Sequence, residues 1–257
     1  FWTMDLYPEA FTSAGLISCN NLIYRMIFSF VYRHVPDFLI TLGEQQYRYL
    51  CRQYKRPFIP HIVLPCGVCQ KEEAPEPSWR QANRNKIIFC YAGNIGEAHN
   101  DAFLLELIRQ LDPEKHLILL RLYGAKAKLV LKEANAFESV ILLDYISSAE
   151  MRYVDICVAS LLSMWNHVCV PSKVVSAICC GLPVLYNADE KSEGACMFPD
   201  AIWLLPNSEN QLESVSAFLS TLSVDDISEK KEAAGKYAQK LISERYSSYS
   251  TFLRIIK

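Results

Sequence analysis

The hydrophobic pattern of the chain is most regular between residues 86 and 240. Short apolar runs alternate there with segments whose apolar residues recur at helical spacing. The runs cover residues 86–91, 117–123, 140–143, 156–162 and 183–186. Strands that are apolar throughout are buried on both faces, as in a parallel sheet covered by helices. The pattern therefore predicts an α/β fold, with a doubly wound, Rossmann-like domain over 86–240.

The regions on either side of this pattern are less regular. Residues 1–70 contain two strand-like runs, 38–41 and 61–64, separated by a predicted helix at 44–54. Residues 71–85 are polar and contain two prolines, which predicts a linker.

Composition narrows the class of protein. Of the 257 residues, 51% are hydrophobic and 21% charged, as in folded globular proteins. A net charge of −2 argues against a nucleic-acid partner, because proteins that bind nucleic acid concentrate positive charge. Ten cysteines are scattered along the chain, several of them in apolar runs, which favours a reducing, cytoplasmic compartment. Cys66 and Cys69 form a C-x-x-C without a second pair, so no metal site is predicted.

The most apolar segment, residues 22–31, lies in the first region. It contains Arg25 and is shorter than the about 20 residues that a helix needs to cross a bilayer. We predict that it forms a buried helix. Contact with the surface of a membrane is the alternative.

The first candidate for chemistry is the turn after the run at 86–91. Gly93, Asn94, Ile95 and Gly96 follow a predicted strand and precede a predicted helix. Glycine lets a backbone approach a ligand closely, and the amides at a helix start favour an anion such as a diphosphate. The alternative is that the glycines serve only the geometry of the turn.

The second candidate is the start of the helix that precedes the last apolar run. Pro171 suits a first helical turn, and Ser172 and Lys173 place a hydroxyl and an ammonium there. Lys173 can then neutralise phosphate beside the helix amides. A helix start with an exposed lysine is the alternative.

Four motifs in order resemble those of a known family: YAGNIG at 91–96, DYISSAEM at 144–151, VPSK at 170–173 and CGLPVL at 180–185. They resemble the carboxyl-terminal domain of family-4, retaining GT-B glycosyltransferases, especially bacterial enzymes of capsule, O-antigen and exopolysaccharide synthesis. Upstream, DLYPE at 5–9 resembles the D-x-x-P-E element of that family. Residues 37–41 and 64–68 are similar to the last strands of its first domain.

The resemblance implies a GT-B architecture. It assigns 1–70 to part of an amino-terminal, acceptor-side Rossmann-like domain and 86–240 to a complete nucleotide-sugar-binding domain. Residues 241–257 would form a carboxyl-terminal helix that crosses back to the first domain. The D-x-x-P-E element normally lies well inside the first domain, so we expect the start of that domain to be missing and the chain to be inactive by itself.

The implied reaction transfers a sugar from a UDP- or GDP-linked donor to a glycan or lipid-linked acceptor, at the cytoplasmic face of a membrane and without a cofactor. No catalytic residue is assigned. The donor-binding residues that the resemblance and the motifs predict are Gly93, Asn94, Ile95, Gly96, His99, Tyr145, Ile146, Pro171, Ser172, Lys173 and Ser176. Tyr145 and Ile146 would flank the base.

Two departures from the family pattern keep other functions open. Val168 and Ser176 stand where the family usually has two glutamates, the later of which holds the ribose. Asn94 and either His99 or Asn100 replace a basic pair that grips the diphosphate. Losing a carboxylate that binds ribose would cost about 1.5–3 kcal/mol.

Two alternative functions remain open. They are a non-catalytic donor-binding subunit and a degenerate remnant, each needing an acceptor-domain partner. A nucleotide-sugar 2-epimerase is less favoured, because its carboxylate and histidine set is not evident.

Overall fold

The computed structural model describes residues 1–70, 72–208 and 210–255. The strands in these residues are β1 (Leu39–Thr41), β2 (His61–Val63), β3 (Ile87–Asn94), β4 (His116–Tyr123), β5 (Val140–Leu142), β6 (Ile156–Ser160), β7 (Val184–Asn187) and β8 (Ile202–Leu205). The helices are α1 (Glu9–Ser13), α2 (Leu22–Val31), α3 (Glu44–Gln53), α4 (Ser78–Gln81), α5 (Asp101–Gln110), α6 (Ala127–Ala134), α7 (Ser172–Cys179), α8 (Glu193–Met197), α9 (Gln211–Thr221) and α10 (Val224–Ile255).

Six parallel strands form the main sheet, in the order β5-β4-β3-β6-β7-β8. The centre is β3, where Cys90 pairs with Leu119 on one side and Cys157 on the other. The predicted α/β fold with a parallel sheet is confirmed. The sequence pattern missed β8, an edge strand whose residues after Ile202 are only partly buried.

Alternate residues of the strands pack into two cores, one on each face of this sheet. Phe89 and Tyr91 belong to one core, while Ile88 and Cys90 belong to the other. The second core continues into the first 70 residues, where it includes Leu50. The buried apolar side chains of residues 1–70, such as Leu50, therefore belong to the core on the same face of the main sheet that α7 and α10 cover.

The two short strands β1 and β2 form a separate parallel pair, which Trp2 extends through a bridge to Ile40. Hydrogen bonds tie this region to the main sheet. The amide of Leu6 donates to the carbonyl of Val168 at 2.9 Å, and the Ser13 hydroxyl donates to the carbonyl of Met164 at 2.7 Å.

The carboxyl-terminal helix is longer than predicted. Instead of beginning at 241, α10 begins at Val224 and runs to Ile255. Arg245 donates to the carbonyl of Val68, and Gln70 Nε2 donates to the Tyr246 hydroxyl at 3.3 Å. The helix thus contacts the end of the first 70 residues. Residues 256 and 257 of the predicted helix, and residue 71 of the predicted linker, lie outside the described residues.

The prediction that residues 22–31 form a buried helix is wrong in one respect. The helix α2 forms, but only Tyr24 is buried. Leu22, Met26 and Phe30 are 72%, 65% and 75% exposed, because α2 contacts its neighbours through another face, in an aromatic row that includes Phe28. No helix in the described residues is long and apolar enough to cross a membrane.

Candidate functional site

A cavity of about 580 Å³ opens where β3 and β6 end and α7 begins. In parallel α/β sheets, ligands bind outside the carboxyl ends of the strands, and this cavity has that position. Eight of the predicted donor-binding residues line it: Gly93, Asn94, His99, Ile146, Pro171, Ser172, Lys173 and Ser176.

Lys173 crosses from α7 to the end of β3. Its Nζ donates to the hydroxyl of Tyr91 at 3.2 Å and to the carbonyl of Asn94, and lies 4.6 Å from the centre of the Tyr91 ring. Nζ also lies 3.2 Å from Nε2 of His99. All of these partners are neutral groups. The ammonium is therefore held in place without forming an ion pair with any carboxylate of the described residues.

The environment of Lys173 disfavours its charged form. Burial lowers the pKa of the ammonium from 10.5 to about 7. An anion that entered the cavity would restore the charge balance and raise this pKa again.

His99 is held as a neutral hydrogen-bond acceptor. Its Nδ1 lies 2.8 Å from the carbonyl of Ser160, which fixes the proton on Nδ1 and leaves Nε2 free to accept from Lys173. Burial, together with the nearby charge of Lys173, lowers the pKa of His99 to about 4. Lys126 holds the same loop, because its Nζ donates to the carbonyl of His99 at 2.8 Å and to Asp101 at 2.9 Å.

The first turn of α7 is open to a ligand. Pro171 is the residue before the helix and provides no side-chain cap. Within the described residues, no hydrogen bond uses the amides of Ser172 or Lys173. These amides carry the positive end of the helix dipole, which favours an anion.

Gly93 makes the approach of Lys173 possible. Its φ of +130° is a conformation that residues with a side chain rarely adopt. A Cβ at this position would also lie 3.3 Å from Cδ of Lys173. A side chain here would be strained by the backbone conformation, and Lys173 would have to shift by a few tenths of an ångström to make room for it.

Three predicted residues do not line the cavity. Ile95 is fully buried in the core, and its amide donates to the carbonyl of Tyr123 at 2.7 Å. Gly96 lies outside the lining, and Tyr145 is 72% exposed and also outside it. All four residues of the turn at 93–96 were predicted to bind the donor. Of these, Gly93 and Asn94 line the cavity, whereas Ile95 anchors the turn to the core.

Ser176 lines the cavity, but its hydroxyl is already engaged. It donates to the carbonyl of Gly67 at 2.9 Å, which ties α7 to the loop after β2. Val168, the other position where the family usually has a glutamate, is fully buried. Neither residue offers a carboxylate to a ribose.

Tyr123 and Asp5 are among the lining residues that were not predicted as site residues. Tyr123 ends β4, which lies beside β3, and its ring is 52% exposed with the Arg121 guanidinium 4.6 Å from its centre. Because Tyr123 lies at the end of a predicted strand, the sequence pattern could have identified it as a candidate site residue. Asp5 lines the cavity from the first region of the chain. No local pattern could place it there, because the contact is made by folding.

All ten cysteines are free thiols. In the described residues, no group of three or more His, Cys, Asp or Glu side chains is arranged to hold a metal ion.

No protein-family model matches the chain, and no curated protein matches it in sequence. Solved structures do match in fold. Sucrose-phosphate synthase from Thermosynechococcus elongatus matches 99% of this chain and 67% of its own, with a TM-score of 0.71 and 14% identity. The glycosyltransferase WaaG, involved in lipopolysaccharide biosynthesis, matches 93% of this chain and 70% of its own, with a TM-score of 0.68 and 17% identity.

A third match is the pneumococcal O-GlcNAc transferase GtfA, solved in complex with UDP and GlcNAc. It matches 92% of this chain but 48% of its own, with a TM-score of 0.65 and 14% identity. All three are glycosyltransferases of the GT-B type. The chain has the GT-B fold. It spans about half of the length of GtfA and 67–70% of the other two, and at these identities the likeness establishes the fold alone.

Proposed function

We propose that the chain binds a nucleotide sugar in this cavity and serves the transfer of that sugar to a glycan or lipid-linked acceptor. The observation that carries the proposal is the ammonium of Lys173, which has no ion-pair partner among the described residues and extends from the open first turn of α7 over Gly93. This arrangement suits a diphosphate, whose negative charges would be met by the ammonium, the free amides and the helix dipole.

The chemistry expected of such a site is electrostatic. When the bond between sugar and diphosphate breaks, negative charge develops on the leaving diphosphate. The first-turn amides of α7 and Lys173 are already fixed where they can stabilise that charge, so they need little reorganisation during the reaction. Ten free thiols support a reducing compartment, and we place the reaction on the cytoplasmic side of a membrane.

We also propose that the chain is a family-4, retaining glycosyltransferase. This proposal is supported by the ordered motifs around Gly93, Tyr145, Lys173 and Gly181, and by the GT-B fold. WaaG acts in lipopolysaccharide biosynthesis, and a lipid-linked acceptor is the analogous proposal for this chain.

A membrane is also the partner that we propose for α2. Its exposed face carries Leu22, Met26 and Phe30, and the segment from 10 to 36 contains no acidic residue. A set of basic side chains, here called the basic cluster, borders a shallow pocket at the end of α3: Arg48, Arg52, Lys55 and Arg56. The rings of Tyr32 and Tyr54, 5.1 Å apart, place this cluster beside the end of α2. Apolar and basic surfaces side by side fit an anionic lipid surface.

Ligand-induced stabilisation tests the donor site. UDP or GDP at millimolar concentration should raise the melting temperature, because a ligand at a hundred times its Kd adds about 2.7 kcal/mol to the free energy of unfolding. Uridine and guanosine, which lack the diphosphate, should give much smaller shifts.

Two outcomes would favour other functions. Absence of a shift with every nucleoside diphosphate and nucleotide sugar would contradict the proposal and favour a degenerate remnant. Stabilisation without sugar transfer, even with a suitable acceptor present, would favour a donor-binding subunit. The engaged hydroxyl of Ser176 supports the degenerate remnant as the alternative, since the ribose lacks its usual carboxylate.

A further inference from the structure

Asp5 places a carboxylate in the donor cavity from outside the main sheet. It is the only acidic residue that lines the cavity in the described part of the chain. The backbone hydrogen bond between Leu6 and Val168, at 2.9 Å, fixes Asp5 beside the segment that leads into α7.

Asp5, Cys169 and Lys173 line the same part of the molecule, the donor cavity. Cys169 lies four residues before Lys173. Burial, with a further contribution from Asp5, raises the pKa of this thiol to about 12, while Lys173 opposes the rise. The cavity therefore contains both a positive group, on Lys173, and a negative group, on Asp5.

The carboxylate of Asp5 has no partner of its own. No hydrogen bond or ion pair joins it to another of the described residues, and partial burial raises its pKa. A carboxylate in this position repels a diphosphate but accepts hydrogen bonds from hydroxyl groups. A nucleotide sugar offers both kinds of group, the diphosphate for Lys173 and the sugar hydroxyls next to it.

We propose that the carboxylate of Asp5 accepts hydrogen bonds from hydroxyl groups of the sugar that the donor carries. It thereby fixes the orientation of this sugar relative to the diphosphate at Lys173, and it takes up no proton in the reaction. The role rests on the proposed donor site. It gives the first region of the chain a part in selecting the donor sugar.

Comparison of ligands with and without a sugar tests this role. The affinities of UDP, UDP-glucose, UDP-galactose and UDP-N-acetylglucosamine are measured by calorimetry for the full chain, Asp5→Asn and Asp5→Ala. The matched control is Asp37→Asn, an exposed aspartate of the same region. We expect Asp37→Asn to leave the affinity for UDP unchanged, and the Asp5 variants to bind UDP at least as tightly as the wild-type chain does, because a negative charge is removed. The nucleotide sugar that the wild-type chain prefers should bind about tenfold more weakly to both Asp5 variants, as expected for a lost hydrogen bond to a charged group.

Three outcomes would overturn the proposal. If the Asp5 variants bind every nucleotide sugar as tightly as the wild-type chain does, Asp5 does not touch the sugar. If UDP and the nucleotide sugars weaken equally, Asp5 acts on the diphosphate or on the fold. If the wild-type chain binds none of the four ligands, the proposed donor site itself is wrong. This result differs from those in which the chain binds the ligands but the role proposed for Asp5 is wrong.

Discussion

Nζ of Lys173 and Nε2 of His99 lie 3.2 Å apart, although both side chains are basic. The contact is favourable because burial keeps His99 neutral, with a pKa of about 4, and its proton lies on the opposite nitrogen. Among the described residues that line the cavity, Lys173, with a pKa of about 7, is therefore the group that can carry a positive charge at neutral pH. Binding of a diphosphate should depend on that single charge.

The affinity for UDP should fall as pH rises above 7. The pKa of Lys173 is about 7 in the free chain, so the ammonium that pairs with the diphosphate is lost at higher pH unless binding retains its proton. Calorimetry between pH 7 and 9 measures this fall and the accompanying uptake of protons. Lys173→Arg, whose charge persists across this range, should bind UDP with little dependence on pH above 7.

The titration of Lys173 should also affect folding stability, which should rise with pH over the range in which the affinity for UDP falls. The pKa of Lys173 is lower in the folded chain than its ordinary 10.5, so the unfolded chain binds more protons between about 7 and 10.5. Stability from this group therefore rises with pH over that window. The difference in free energy of unfolding between the wild-type chain and Lys173→Met isolates the effect. A pH-independent difference would contradict the assignment of the shifted pKa to Lys173.

Tyr123, rather than Tyr145, is expected to contact the base. Tyr123 lines the cavity at the end of β4, whereas Tyr145 is exposed outside it. Tyr123→Ala should weaken uridine and UDP binding equally, by about 1–3 kcal/mol, the usual contribution of a base stacked on an aromatic ring. Tyr145→Ala is the matched control and should bind both ligands normally. The reverse pattern would restore the sequence-based prediction for Tyr145.

A buried carboxylate should stabilise the junction between the two sheets. Glu193 accepts hydrogen bonds from the amides of Glu44 and Gln45, at 2.9 and 2.8 Å, at the start of α3. Glu193→Ala should lower the free energy of unfolding by about 2–3 kcal/mol, because amides are left unpaired in a buried place. Urea denaturation measures the loss. Glu190→Ala, which removes an exposed glutamate nearby, should change stability little.

Gly43 supplies a second test of this junction. A Cβ at Gly43 would lie 2.0 Å from Cδ of Glu193, while its φ of −169° is an extended conformation open to any residue. Gly43→Ala should therefore destabilise the chain through Glu193 alone. In the double variant with Glu193→Ala, the two losses should not add, because the clash is gone. Additive losses would show that the two positions act independently.

The exposed face of α2 should bind anionic vesicles. The chain should float with vesicles that contain phosphatidylglycerol and much less with pure phosphatidylcholine, because the basic cluster adds electrostatic attraction. Met26→Glu should abolish flotation, whereas Leu129→Glu should not, since Leu129 is equally exposed but lies on α6. Equal flotation of both variants, or flotation independent of lipid charge, would contradict this contact.

The main sheet was predictable from sequence because its strands are apolar throughout, as Phe89 and Ile118 illustrate. The edge strand β8 was missed, since partial burial leaves a weaker pattern. Hydrophobicity misled the prediction for α2. An apolar segment predicts a hydrophobic helix face. It does not show whether that face, which includes Met26, packs against the rest of the same chain or stays exposed.

The candidate site was predictable where local sequence determines it. Lys173 at a helix start and Gly93 after a strand follow from short motifs, and the structure brings them together. Ile95 was predicted to bind the donor, but its side chain lies in the core, because a turn that faces a ligand must also be anchored there. Asp5 could not be predicted, since its place in the cavity depends on a hydrogen bond between distant segments.

The central claim is that Lys173 binds the diphosphate of a nucleotide sugar, and one comparison tests it most directly. Calorimetry of UDP and of uridine is performed with the wild-type chain, Lys173→Ala and Lys128→Ala, an exposed lysine on α6. We expect Lys173→Ala to weaken UDP binding by about 1.5–3 kcal/mol, roughly 10- to 150-fold in Kd, with uridine unaffected and Lys128→Ala normal for both ligands. Unchanged UDP affinity in Lys173→Ala would contradict the account, and so would an equal loss for UDP and uridine.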